Sequence, residues 1–141
     1  MKIGIDIPSI AEQKKILFRE EVEKSCEQLK HNLNAPVIKT PLDVDLAGFS
    51  RNHLLTENDG WEAPPAVLVN AMFEQFKNTF PEFSSDAKLG KELGLSGNAD
   101  RRIRSFRNGE RPVPYGIWRR FLIMTGRVNQ EIIPVVAFFE D

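Results

Sequence analysis

The chain has 141 residues, of which 41% are hydrophobic and 28% charged, with a net charge of −1. That length suits one domain, or one domain with an appended element, and it buries enough surface to need no disulfide or metal staple. The composition excludes a disordered chain, no apolar run reaches the length of a membrane span, and the first residues lack the apolar stretch of a signal peptide. The expectation is a soluble, cytoplasmic protein with no membrane partner.

Residues 2–7 (KIGIDI) alternate apolar and polar, which reads as a short strand or extended arm ended by Pro8. Ser9 and Glu12 have the spacing of a capping box, so a helix of about 23 residues is expected from there to Asn32. Ala11, Phe18, Val22, Ser25/Cys26, Leu29 and Leu33 recur at three- and four-residue steps and form one apolar stripe, opposite a Glu/Lys-rich face. The stripe packs either on its own chain or on a second copy. Cys26 cannot form an internal disulfide and is expected as a half-buried helix thiol.

Residues 34–65 hold Pro36, Pro41, Gly48, Gly60, Pro64 and Pro65 and read as a loop-rich connector, with short extended pieces at Val37–Ile38 and Val44–Leu46. Trp61 is expected as a lid on the helix that follows. That helix, 66–79, places Val69, Met72, Phe73, Phe76 and Phe80 on one side as core, and Pro81 stops it. Ser84 or Ser85 caps the next helix, 86–93, whose inward positions are Ala87, Leu89 and Leu93. Gly94 stops it and Leu95-Ser96-Gly97-Asn98 turns the chain. A helix over 98–108 ends at Gly109. Another over 115–125 buries Trp118, Phe121 and Leu122 and ends at Gly126. A last helix, entered or broken at its proline, is expected over 129–138, covering the core.

The charge distribution says more than its total. Residues 84–127 hold ten Lys/Arg against four Asp/Glu, a local net charge of +6, whereas residues 1–83 carry −4 and residues 128–141 carry −3. A segregated, arginine-rich block is an electrostatic footprint for a polyanion. Two short helices joined by a glycine-containing turn make a helix-turn-helix, whose second helix buries one side and offers the other to the major groove. On a helical wheel Ala99, Ile103 and Phe106 fall within about 60° of one another and form the buried stripe. The opposite face carries Arg101, Arg104, Ser105 and Asn108, which are the expected base-contacting residues. Lys88, Arg102, Arg107 and Arg111 are the expected phosphate contacts. Asp100 reads as a helix-dipole or capping residue.

The run from Lys88 to Gly126 resembles the Cro/repressor-type (XRE-like) helix-turn-helix family, in particular small regulators of phages and other mobile elements. The likeness rests on Leu93-Gly94-Leu95-Ser96 before the turn, on Ile103 with Phe106, on Asn108-Gly109-Glu110-Arg111-Pro112, and on Pro114, Trp118 and Leu122 in the helix that follows. Gly94 to Ile103 is longer than the family's usual spacing, so either the turn is extended or the recognition helix begins a turn earlier. The resemblance implies sequence-specific double-stranded DNA binding, commonly as a homodimer on two half-sites. It covers under a third of the chain.

No catalytic constellation stands out. His31 and His53 lie far apart, lack metal-spaced partners and are expected at the surface. No nucleophile elbow, phosphate loop or dinucleotide fingerprint is present. The expectation is therefore a mainly α protein: a region over 1–65 serving dimerisation or an effector, then a helix-turn-helix domain over 66–141. It regulates transcription without enzyme activity, cofactor or metal. Two alternatives stand beside this: a DNA-binding structural or assembly factor of a phage or plasmid, acting in partition, replication or packaging, and a protein-interaction module of helix-turn-helix shape.

Overall fold

A computed structural model describes Gly4 and residues 7–141; most of the arm expected at 2–7 lies outside the described residues. Among the described residues there are five α-helices and no strand: α1 (Ile10–Asn32), α2 (Ala66–Thr79), α3 (Asp86–Glu92), α4 (Ala99–Asn108) and α5 (Tyr115–Met124). Single 3₁₀ turns lie at Leu46–Gly48, Asn52–Leu54, Glu57–Asp59 and Pro81–Phe83. The protein is mainly α, with a long N-terminal helix and a loop-rich connector. None of its described helices is long and apolar enough to cross a membrane.

The chain forms two units, Met1–Lys39 with Ile133–Asp141, and Thr40–Ile132. In the first, α1 begins at the expected capping box. The Ser9 hydroxyl accepts from the Glu12 N–H and the Glu12 carboxylate accepts from the Ser9 N–H, both at 3.2 Å. No residue of α1 is buried, and Cys26 is exposed rather than half-buried. Residues 129–138 are not helical. Pro134 denies the segment a backbone donor, and residues 133–141 belong to the same unit as α1, with Phe138 edge-on to Phe18 at 5.1 Å.

The second unit holds the core. Its centre is Trp118, Phe73, Phe121, Leu68, Leu89, Ile103 and Leu122, all fully buried, with Leu93, Phe106 and Val113 around them. Phe73 and Phe121 meet edge to face at 4.9 Å, and Phe76 stacks on Phe83 at 5.2 Å. The connector belongs to this unit, so the division expected at 65/66 does not match the packing: Leu42, Val44, Phe49, Leu54 and Trp61 all lie against the core. In place of the extended piece at 44–46, Asp45 caps a 3₁₀ turn by accepting from the Ala47 N–H. Trp61 is partly buried against the core cluster that α2 helps to form. Its ring meets Tyr115 at 5.2 Å, and its indole N–H donates to the His53 carbonyl at 3.1 Å. His53, expected at the surface, is buried. Its Nδ1 accepts from the Trp118 indole N–H at 3.1 Å, which satisfies a donor otherwise stranded in the core.

Candidate nucleic-acid interface

α3 and α4 pack closely because Gly90 faces the contact. A Cβ there would sit 2.9 Å from the Ala99 Cβ and 3.1 Å from both the Ala99 carbonyl oxygen and Ile103 Cγ1. The buried positions of α3 are thus Leu89 and Gly90, with Leu93 as C-cap, while Ala87, expected inward, is exposed. The end of α3 is a Schellman motif. Gly94 is left-handed at φ 87°, its N–H donates to Lys91, the Leu95 N–H donates to Gly90, and Leu95 is buried. Gly97 and Asn98 are left-handed too, at φ 64° and 50°. Residues 93–98 therefore form an extended turn, which resolves the spacing between Gly94 and Ile103 in favour of a longer turn; α4 itself starts at Ala99.

α4 buries Ile103, Ser105 and Phe106 and leaves Arg101, Arg102, Arg104 and Asn108 exposed. Ser105 is a correction. The helical wheel sets it on the outer face, but the left-handed Gly109 returns the chain over this side, with the Arg111 N–H donating to the Ser105 carbonyl at 3.2 Å. Its hydroxyl donates to the Arg102 carbonyl at 2.7 Å. It has no exposed group with which to meet a base. Asn108 lies at the exit of α4, where its side chain accepts from the Glu110 N–H and donates to the Glu110 carboxylate.

Arg107 is a second correction. Its guanidinium turns inward: Nε donates to Asn70 at 2.9 Å, Nη1 to both Asp86 oxygens at 2.7 and 2.9 Å, and Nη2 to Glu74. Lys77 joins the same acids, 2.9 Å from Asp86 and 3.5 Å from Glu74. The four charged side chains are between 13% and 35% exposed. The cluster ties α2, α3 and α4 together and engages all three guanidinium nitrogens of Arg107 with protein acceptors.

Three more members of the basic block have intramolecular roles. Arg119 donates to the Leu54 and Asn129 carbonyls, and Arg120 donates to the Glu92 carbonyl at the end of α3. Arg127 donates to Gln75 and lies over the Phe121 ring at 5.8 Å. Arg120 stays exposed while it makes its bond to Glu92, and the other exposed cations of the block are Lys88, Lys91, Arg101, Arg102, Arg104 and Arg111. Of these only Arg104 has an ion pair among the described residues. It reaches Asp100 at 3.9 Å, with side chains 65% and 57% exposed, a contact of little energetic weight. Most of the exposed positive charge therefore lies on α3, α4 and the chain just after α4.

The class that fold and site define is an all-helical protein whose larger unit presents an arginine-faced second helix after an extended turn. No protein-family model, curated protein or solved structure matches the chain.

Proposed function

We propose that this protein is a sequence-specific double-stranded DNA-binding transcriptional regulator of the Cro/repressor-type helix-turn-helix kind, acting in the cytoplasm, with α4 as recognition helix. One observation carries the reading. α4 buries Ile103 and Phe106 while Arg101, Arg102 and Arg104 stay exposed on its other sides. A solvated helix face usually mixes lysine with glutamate; this one carries arginine, whose planar fork matches guanine O6/N7 and phosphate alike. Arg101 and Arg104 are the base readers, Asn108 a further candidate at the helix exit, and Lys88, Arg102 and Arg111 the phosphate contacts. The reading calls for no catalytic group and no cofactor.

The test is selection from random duplexes, followed by affinity measurements on the selected site. Arg101→Ala or Arg104→Ala is expected to cost about 1–3 kcal/mol on that site and to relax the preference at one position. Arg102→Ala or Arg111→Ala is expected to weaken all sequences alike and to lower the salt slope by about one unit. Arg107→Ala is expected to lower folding stability by about 1–3 kcal/mol, since it leaves Glu74 and Asp86 short of a counter-charge in a partly solvated cluster. It should leave the DNA salt slope unchanged. A folded variant with alanine at 101, 102, 104 and 111 that binds DNA like the wild type overturns the proposal.

A further inference from the structure

We propose that α1 is a self-association helix that pairs with the α1 of a second copy in antiparallel orientation; this does not rest on the DNA-binding reading. α1 runs for 23 residues without burying one, and its apolar stripe stays open, with Phe18 45%, Val22 43% and Leu29 39% exposed. Phe138 packs edge-on to Phe18 yet remains 70% exposed, so the tail widens the apolar strip without closing it. A helix that buries nothing has only its propensity and caps to hold it, which is a marginal supply of stability.

The charges beside the stripe select the occupant. On the wheel Ala11, Phe18, Val22 and Leu29 lie within about 40° of one another, and Glu12, Arg19, Glu23 and Lys30 lie together on one flank, about 80–120° away. Read along the helix this flank alternates acid, base, acid, base. Glu12 and Lys30 are symmetric about Glu21, and so are Arg19 and Glu23. An antiparallel copy, whose like flanks adjoin, therefore sets Glu12 against Lys30, Arg19 against Glu23, and the reverse of each. In a parallel copy unlike flanks adjoin, so these opposite charges are not brought together. The apolar residues obey the same symmetry to within one residue. Ala11 with Leu29, and Phe18 with Val22, are symmetric about Glu20, which shifts their pairing by two residues, about 3 Å, from that of the ion pairs. Antiparallel pairing so brings each large side chain of the stripe opposite a smaller one within about 3 Å of the register of the ion pairs, a distance that long charged side chains span. The whole helix is polarised in the same sense. Residues 10–19 carry one acid against Lys14, Lys15 and Arg19, whereas residues 20–32 carry four acids against Lys24 and Lys30. Among the described residues the helix's own ion pairs are Glu21–Lys24 and Glu27–Lys30, at 3.4 and 3.8 Å and largely exposed. Glu12 also caps Ser9. On the other flank Glu21 meets its own copy, with its charge offset by Lys24.

The experiment is sedimentation of the full chain at about 1–100 µM, a range that brackets common dimer affinities. A dimer is expected, and Val22→Glu with Leu29→Glu should return it to monomer while the tryptophan fluorescence of the core stays native. Arg19→Glu is expected to raise the dimer dissociation constant about tenfold by setting two acids together twice per dimer, and adding Glu23→Arg in the same chain should restore it. A wild-type monomer throughout the range overturns the proposal. So does a dimer indifferent to the stripe variant, or one in which Glu23→Arg fails to rescue Arg19→Glu.

Discussion

His53 shows how one side chain links core packing to pH. Its ring is buried, and its Nδ1 accepts the hydrogen bond of the Trp118 indole N–H, so the ring must be neutral with its proton on Nε2. Burial, and then the charges of Arg127 and Arg51, push its pKa below the usual imidazole value of 6.5. The unfolded chain therefore binds a proton at a higher pH than the folded one does. Stability is full above 6.5 and falls as the pH drops from there through the folded value. The urea midpoint is expected to decline between about pH 7.5 and pH 5 in the wild type. His53→Gln, which keeps an acceptor near the indole, should be less stable at neutral pH but flatter across that range. An equal slope in both proteins would remove His53 as the cause.

At the scale of elements, the contact between α3 and α4 decides whether the arginine face is presented at all. Gly90 is a costly residue inside a helix by propensity alone, and alanine there would ordinarily gain up to about 1 kcal/mol. Here the added methyl meets Ala99, partly through its backbone carbonyl, and Ile103, so α4 must move or the core must open. Overpacking of this sort costs about 1–3 kcal/mol. Gly90→Ala is therefore expected to destabilise by about 1 kcal/mol net in a urea titration, and Gly90→Val by more. A stabilised Gly90→Ala would show that the two helices can separate freely. The Schellman turn makes a related demand, since Gly94 at φ 87° is a conformation that other residues reach only with strain.

For the whole molecule, the core lies within residues 40–132, and the connector forms one of its walls. Leu42, Val44, Phe49, Leu54 and Trp61 are each partly buried there, and His53 completes the hydrogen bond to Trp118. Burying a large apolar side chain contributes about 1.5–3 kcal/mol when complete. Five partial burials are thus comparable with the about 5–15 kcal/mol that holds a domain folded. A fragment of residues 40–132 is expected to unfold cooperatively, with a melting temperature near that of the full chain. A fragment of residues 66–132 is expected to bind a hydrophobic dye and to lose its cooperative transition. Cooperative melting of the shorter fragment would mean that the connector is dispensable.

Much of this was legible along the chain because helices are specified locally. Their boundaries follow from Ser9 and Ser85 as caps and from Gly94, Gly109 and Gly126 as stops, and their buried faces from apolar residues spaced at the helical period. α2 and the inward Trp118, Phe121 and Leu122 are where that period places them. The partners of polar groups are a different matter, because they come from elements far apart in sequence. Arg107 meets Asn70, Glu74 and Asp86, and His53 meets Trp118 from 65 positions away. No local pattern separates such an arginine from its exposed neighbours Arg101 and Arg104. Ser105 turned inward because the chain beyond Gly109 folds back over it, and a wheel drawn on α4 alone leaves that chain out. The apolar run at 132–139 has the composition of a covering helix, yet Pro134 interrupts it and the segment is not helical. The sequence by itself determined where the helices run and which stripe of each is apolar, since both follow from neighbours within one or two turns. Only the tertiary structure decided which charges stay free, because an arginine's role depends on whether an acid from another element reaches it first.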